Sequence, residues 1–304
     1  MRYRVIHTTT YDYEAPVSVC QNLAHLKPRT VPGQVCQATQ LAIEPAPSVV
    51  FDQLDYFGNP VTYFAVQEPH CQLMLTADHQ VEIAPRVFPD PAQTPPWEEV
   101  GELLQADRSA EVLEAAQFLF DSRYVSSNRN RLEYAQPSFS KGRPILEGVL
   151  DLTRRIHEEF EYDQQATTVA TPLDEVLLSR RGVCQDFAHL EIACLRSLGL
   201  AARYVSGYLR TSPLPRTAAA LIGADATHAW ISVYCPGPGW VDVDPTNNQM
   251  PGDAYVLLAW GRDYDDVSPV KGIVLGGGRH SVKVAVQVAQ VTDADQQVVL
   301  SPTL

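Results

Sequence analysis

Three residues in the second half of the chain have the types and the spacing of a nucleophilic triad. Cys184 lies where a glycine-led loop meets the start of an apolar helix. A helix N-terminus favours a thiolate and can also bind a developing oxyanion. His228 begins one predicted strand and Asp244 ends the next, so an imidazole can lie beside an acid that fixes its tautomer. The three residues together supply what nucleophilic catalysis by a cysteine requires.

Each of these residues also has an ordinary structural explanation. A free cysteine is most often a small buried hydrophobe, and a single histidine on a strand is more often structural than catalytic. The combination of Cys184 with a histidine and an acid therefore carries the hypothesis, and no one of the residues does so alone.

The register of one hairpin decides which acid lies beside the histidine. If the connection has an odd number of residues, Cys235 pairs with Gly239 and Asp244 becomes a diagonal neighbour of His228 on the same face. An even connection without a bulge would turn Asp244 to the other face. Asp242 would lie one pair further away and is the weaker candidate. The triad hypothesis thus predicts an odd connection or a bulge.

The elements that must position these residues fall into four regions. Short alternating runs predict an all-β domain, a sandwich or a small barrel, over residues 1–88. Residues 89–100 are rich in proline and are predicted to be a linker. Helical periodicity followed by strands predicts an α+β catalytic unit over residues 101–250. Alternating valines predict a β extension over residues 251–304, packed on the core or on the N-terminal domain.

Within the α+β unit, five elements carry the candidate residues. The spacing of apolar side chains predicts amphipathic helices over Ile145–Phe160 and from Cys184 to Gly199, the second with one buried side. Strands are predicted over Arg203–Leu209, Thr227–Cys235 and Trp240–Asp244. The predicted class is therefore α+β, with helices packed on an antiparallel sheet.

Composition excludes several classes of function. The chain has 304 residues with 45% hydrophobic residues, and 23 basic against 36 acidic side chains give a net charge of −13. That balance argues against nucleic acid or an anionic membrane surface as the main partner, because both require a basic face. No stretch approaches the ~20 apolar residues that span a bilayer. The six cysteines are scattered without a C-x-x-C pair, which indicates free thiols and a cytoplasmic protein.

Several motifs, in the right order, resemble the bacterial transglutaminase-like superfamily. The core motifs of this resemblance are Gly182 to His189, Ala202 to Tyr208, His228 to Trp230, and Asp244 to Asn248. Tyr3 to His7 and Asn22 to Arg29 are similar to the β-rich region that precedes this core in many members, and Gly261 to Pro269 resembles the stretch that follows it. The resemblance covers most of the chain.

The resemblance implies a papain-like catalytic fold with a Cys-His-Asp triad. Cys184 would be the nucleophile, His228 the general base and acid, and Asp244 the orienting acid. Members of the family attack amides through a thioester acyl-enzyme, and the acyl group passes either to water or to an amine. The sequence therefore favours a cysteine peptidase or amidase acting on a peptide or protein. The alternatives are a protein-glutamine transglutaminase and a non-catalytic peptide-binding scaffold with an ordinary thiol.

Five further residues are weaker candidates for binding the substrate or the oxyanion. Gln185 follows the cysteine in the first helical turn, and Tyr162 lies upstream, where it could donate to an oxyanion or flank the cleft. Tyr204, Tyr208 and Trp230 are candidate cleft walls, and packing within the sheet explains them equally well. No metal, nucleotide or other cofactor site is predicted, and the sequence is compatible with either a monomer or a homo-oligomer.

Overall fold

The computed structural model describes residues 1–210 and 227–291. The strands, in chain order, are β1 (Arg2–Ala24), β2 (Gln34–Glu44), β3 (Val49–Leu54), β4 (Pro60–Val66), β5 (His70–Ile83), β6 (Glu161–Tyr162), β7 (Arg181–Gly182), β8 (Ala202–Leu209), β9 (His228–Cys235), β10 (Gly239–Val243), β11 (Tyr255–Gly261), β12 (Val270–Gly276) and β13 (His280–Gln290). The helices are α1 (Trp97–Ala106), α2 (Ala110–Ala116), α3 (Arg129–Ala135), α4 (Ile145–Glu159), α5 (Leu173–Ser179), α6 (Cys184–Ser197) and α7 (Tyr264–Val267). Among the described residues, no helix has both the length and the apolar character needed to cross a membrane.

The N-terminal region is strand-rich, as predicted, and its strands form one sheet of seven. Strand β1 is its centre, with β4 and β5 along one edge and β12 and β13 along the other. The ladder between β1 and β5 is interrupted between Asp12 and Val17, and the ladder with β12 has a bulge just after Val17. Apolar side chains of β1, β4 and β5 form one core that includes Phe64 and Leu75. A separate second sheet, as a sandwich would have, is not present among the described residues of this region.

The four-stranded antiparallel sheet β10-β9-β8-β11 forms the second layer, and helix α6 packs against β9 and β8. The prediction that α6 buries only one side is wrong, because every residue from Asp186 to Arg196 is buried. Helices α3, α4 and α5 pack against α6 as well. Helix α6 is therefore the centre of the α+β unit rather than a surface helix.

Two predicted boundaries differ from the structure. The predicted linker, residues 89–100, contacts the helical segment, since Leu146 N donates to Thr94 Oγ1 at 3.2 Å, and its last residues are helical because α1 begins at Trp97. The predicted extension from residue 251 is divided, because β11 belongs to the four-stranded sheet while β12 and β13 complete the N-terminal sheet. Residues 292–304 of that extension lie outside the described residues.

Two side-chain amides join the N-terminal region to β11, an edge strand of the four-stranded sheet. Gln34 accepts from Leu257 N at 2.8 Å and donates to Leu257 O at 2.7 Å. Asn59 does the same at Trp260, with distances of 3.0 and 2.8 Å. Because each amide satisfies a backbone N–H and C=O that a neighbouring strand would otherwise bind, the edge is covered.

Candidate active site

Cys184 is the first residue of α6. Asp186, three residues after the N-cap residue Val183, holds the turn that precedes the helix. Asp186 Oδ2 accepts from Val183 N at 2.9 Å and from Thr167 Oγ1 at 2.6 Å. Burial raises the pKa of Asp186, and these two hydrogen bonds oppose that shift. A Cβ atom on Gly182 would lie 2.8 Å from the same carboxylate oxygen, so the turn is also tightly packed. The half-buried thiol of Cys184 is thus fixed at the positive end of a buried helix.

His228 and Asp244 form a buried pair at 2.8 Å between Nε2 and Oδ2, and neither side chain is exposed to solvent. The hairpin has the predicted register, with Cys235 opposite Gly239. The expected odd connection is therefore confirmed, and it turns Asp244 toward the histidine as the alternation of side chains requires. Asp242 instead pairs with Arg86 at 2.9 Å.

Both carboxylate oxygens of Asp244 accept hydrogen bonds from neighbouring groups. Oδ2 accepts from His228, from Asn247 Nδ2 at 2.8 Å and from the Tyr255 hydroxyl at 2.6 Å. Oδ1 accepts from the backbone N–H groups of Thr246 at 2.8 Å and Asn247 at 3.3 Å. Burial alone would raise the pKa of Asp244, but His228 and the other donors lower it below its usual value. The carboxylate is therefore ionised at neutral pH.

The electrostatics of His228 follow from this arrangement. Burial disfavours the imidazolium, but the charge and hydrogen bond of Asp244 outweigh it and, with Cys184, raise the pKa of His228 above its ordinary value. With Nε2 occupied by Asp244, the other ring nitrogen, Nδ1, is buried and makes no hydrogen bond to the described residues. Nδ1 is accordingly the ring nitrogen left to exchange a proton with a thiol.

Three of the weaker sequence candidates lie around Cys184. Strand β6, which ends at Tyr162, pairs in parallel with the two residues that precede Val183, and the Tyr162 ring packs edge-on against Phe187. Tyr204 is buried; burial is the main cause that raises its pKa, and Cys184 adds to that effect. Gln185 is half-buried beside the thiol in the first turn of α6.

Two other candidates have a different role from the predicted cleft wall. Trp230 is completely buried and packs against the rings of His228 and Tyr255, with centroids 6.2 and 5.4 Å away. The indole packs against the imidazole of His228 and has no exposed surface for a substrate. Tyr208 is also fully buried, and its hydroxyl bonds His7 Nδ1 at 3.0 Å in the layer between the two sheets.

Sequence reasoning missed two residues that hold the acid. Asn247 is explained by the turn after Pro245, and nothing in the sequence distinguishes Tyr255 from other strand tyrosines. The signal for Asn247 was its position three residues after Asp244, within reach of a side-chain hydrogen bond. Tyr255 depends on the path of β11, which sequence periodicity does not give.

Comparison with known proteins assigns the family. Residues 3–82 match the bacterial transglutaminase-like N-terminal region, and residues 133–245 match the transglutaminase-like superfamily. The chain belongs to the transglutaminase-like superfamily. It is 42% identical over 290 residues to the uncharacterized protein Rv2569c of Mycobacterium tuberculosis, and the match covers 92% of this chain and 90% of that one.

Two further relatives extend the comparison. A protein-glutamine gamma-glutamyltransferase of Pseudomonas aeruginosa is 34% identical over 102 residues, which cover 33% of this chain and 15% of that protein. The crystal structure of a candidate cysteine protease from Cytophaga hutchinsonii matches with a TM-score of 0.75 at 24% identity. That match covers 96% of this chain and 92% of the other, and it shows that the two proteins share a fold.

Proposed function

We propose that the protein is a thiol enzyme that acts on amide bonds of a peptide or protein, with Cys184 as nucleophile. The observation that carries this proposal is the buried His228–Asp244 pair, whose free ring nitrogen is available to a thiol at the start of α6. A cysteine, a base and an orienting acid are required for such chemistry, and the superfamily supports cysteine-based hydrolysis or acyl transfer.

The proposed reaction proceeds in two steps. The Cys184 thiolate attacks the amide carbonyl carbon, and free N–H groups at the start of α6 bind the oxyanion. The C–N bond then breaks, His228 donates its proton to the departing amine, and a thioester remains. In the second step water attacks the thioester while His228 takes a proton, and the released Cys184 completes the cycle with a carboxylic acid product. Asp244 stays ionised and holds the imidazole in the required tautomer.

Hydrolysis is the favoured outcome, because water is always present and transfer needs a site that excludes it and admits an amine. Transfer to an amine is the second candidate, supported by the partial match to a protein-glutamine gamma-glutamyltransferase. A non-catalytic scaffold is the third candidate, and it predicts an ordinary thiol at Cys184. The cytoplasm is the proposed location, since all six cysteines are unpaired.

Turnover of a peptide-amide library with and without added amine tests the proposal. We expect release of ammonia or amine that is lost in Cys184→Ala and retained in Cys71→Ser, a matched control at an exposed cysteine. Mass spectrometry of the products then separates a free acid from a new amide. Equal turnover by Cys184→Ala and wild type would contradict the assignment of the nucleophile.

A further inference from the structure

A second buried charge lies in a cleft on the four-stranded sheet, outside the triad. The cleft has a volume of about 830 Å³ and is lined by Arg203 together with Trp240, Trp260, Phe88 and the ion pair Arg86–Asp242. Arg203 is only 6% exposed, so its guanidinium is almost entirely removed from bulk water.

The Arg203 guanidinium is stacked between two indoles. Its central carbon lies 4.2 Å from the ring centroid of Trp240 and 3.8 Å from that of Trp260. Arg29 covers the opposite face of Trp260 at 3.5 Å. Cation–π contacts of this kind favour a charged group, but they occupy its two faces and satisfy none of its five N–H donors.

Those donors have no partner within residues 1–210 and 227–291. Nε of Arg203 is buried without a hydrogen bond, and the guanidinium makes no ion pair with a described residue. Two carboxylates supply negative charge near Arg203: Asp242, which already binds Arg86 at 2.9 Å, and Glu114, which also lines the cleft. Burial lowers the pKa of Arg203 to about 9, and the negative charges of Asp242 and Glu114 oppose that shift only in part. An arginine that is buried and unpaired is costly for a fold, and a binding site for an anion explains its presence.

The geometry also selects the kind of anion. With both faces covered, only the edge of the guanidinium is available, and a carboxylate in the same plane can accept two parallel N–H bonds there. The flanking indoles and Phe88 provide an apolar, aromatic surface for the rest of such a molecule. We propose that this cleft binds a small carboxylate with an apolar or aromatic body, held by the edge of Arg203.

This site is distinct from the triad. Arg203 and Asp242 both pair with Ser232, so the three residues form one row across β8, β9 and β10. That row lies four residues along β9 from His228, a distance of about 13 Å at the usual rise per residue. Neither Cys184 nor His228 lines the cleft. The proposal therefore stands independently of the reaction proposed at Cys184.

Titration of the 304-residue protein with benzoate and with its neutral isostere benzamide tests the proposal. Two of the four tryptophans flank the guanidinium, so tryptophan fluorescence reports binding directly, and calorimetry gives the affinity. We expect saturable binding of benzoate at low ionic strength and at least tenfold weaker binding of benzamide. Arg203→Lys retains the charge but loses the planar fork, so it should weaken benzoate binding at least tenfold. Arg4→Lys makes the same substitution at an arginine that pairs with Asp78 and does not line the cleft, so this variant should bind benzoate as the wild type does.

Four results would overturn the proposal. Equal binding of benzoate and benzamide would show an apolar cleft without an anion site. Unchanged benzoate affinity in Arg203→Lys would remove the assigned donor, and stronger binding of inorganic phosphate than of benzoate would contradict a planar carboxylate. Binding of none of these probes at millimolar concentration would leave the Trp240–Arg203–Trp260 stack as a structural contact only. A Tm for Arg203→Lys close to that of the wild type shows that the variant is folded.

Discussion

Two buried charges on one face of the four-stranded sheet, Asp244 and Arg203, differ in how many hydrogen bonds they make. We call their positions the complete end and the incomplete end of this face. At one end Asp244 accepts five hydrogen bonds and has no exposed surface. At the other end Arg203 makes no hydrogen bond to the described residues, although it is almost as deeply buried. The first charge is complete without a ligand, which suits a group that must keep one orientation through a reaction. Arg203 has no hydrogen-bond partner among the described residues, as expected of a group that binds a ligand.

A third buried ionisable group, Glu191, lies in the centre of α6. Glu191 is completely buried, and its single described hydrogen bond comes from Thr153 at 2.7 Å. Burial raises the pKa of Glu191 to about 8, and the charge of Asp244 adds to that shift. The charge of a neighbouring histidine and the number of hydrogen bonds together decide whether a buried carboxyl is ionised: Asp244 is ionised, and Glu191 is protonated at neutral pH.

The largest effect is expected at the complete end. Asp244→Asn should lower kcat/KM by roughly a hundredfold to ten-thousandfold, because the imidazole loses the acid that fixes its tautomer. Asp242→Asn, two residues earlier in the chain, is the matched control, since Asp242 contacts Arg86. Steady-state kinetics on both variants measure the difference. Similar activities for the two would mean that the buried pair is structural only.

The raised pKa of Glu191 predicts a pH-dependent stability. Because the folded-state pKa of Glu191 is raised from 4.5 to about 8, its contribution is fully present below pH 4.5 and is lost as the pH rises toward 8. Glu191→Gln should thus become more stable than the wild type over this range, by at most about 1.4 kcal/mol per pH unit. Urea unfolding at several pH values measures this, with Glu175→Gln on exposed α5 as the control. A constant difference across the range would show that Glu191 is not protonated in the folded protein.

Close packing at the start of α6 gives a smaller effect. Gly182→Ala would place a methyl group 2.8 Å from Asp186 Oδ2 and 3.0 Å from its Cβ, so the turn before Cys184 must shift. We expect kcat/KM to fall about tenfold, equivalent to about 1.4 kcal/mol. Gly101→Ala in α1 is the control, because its new Cβ would meet its nearest neighbour at 3.8 Å. Equal activity of the two variants would show that the position of Cys184 tolerates this shift.

The smallest effect is expected at the incomplete end. Arg203→Met removes a buried charge that has no hydrogen-bond partner among residues 1–210 and 227–291. The free energy of unfolding of the ligand-free protein should therefore change by only about 1 kcal/mol, while benzoate binding is lost. Thermal unfolding with and without benzoate separates the two quantities. A destabilisation of several kcal/mol without benzoate would place Arg203 among residues that hold the fold, and the contrast with Asp244 would fail.

The sequence predicted the complete end better than the incomplete one, for a physical reason. His228 and Asp244 meet through a three-residue hairpin connection, and strand alternation alone fixes which faces they share. Arg203 meets Trp240 and Trp260 only after β10, β8 and β11 have assembled, and no local pattern records that. The burial of Trp230 and Tyr208 could not be predicted for the same reason. Alternation of side chains predicts that both lie on a sheet, but it does not show that both faces of that sheet are covered.

The measurement that tests the central claim most directly is the rate of Cys184 alkylation by iodoacetamide as a function of pH. Mass spectrometry identifies the labelled site, exposed Cys71 serves as an internal reference, and wild type is compared with His228→Ala. We predict that Cys184 labels faster than Cys71 well below the ~8.5 of a free thiol, and that His228→Ala abolishes this advantage. An ordinary thiol profile at Cys184 that the His228→Ala substitution leaves unchanged would contradict an activated cysteine–histidine pair.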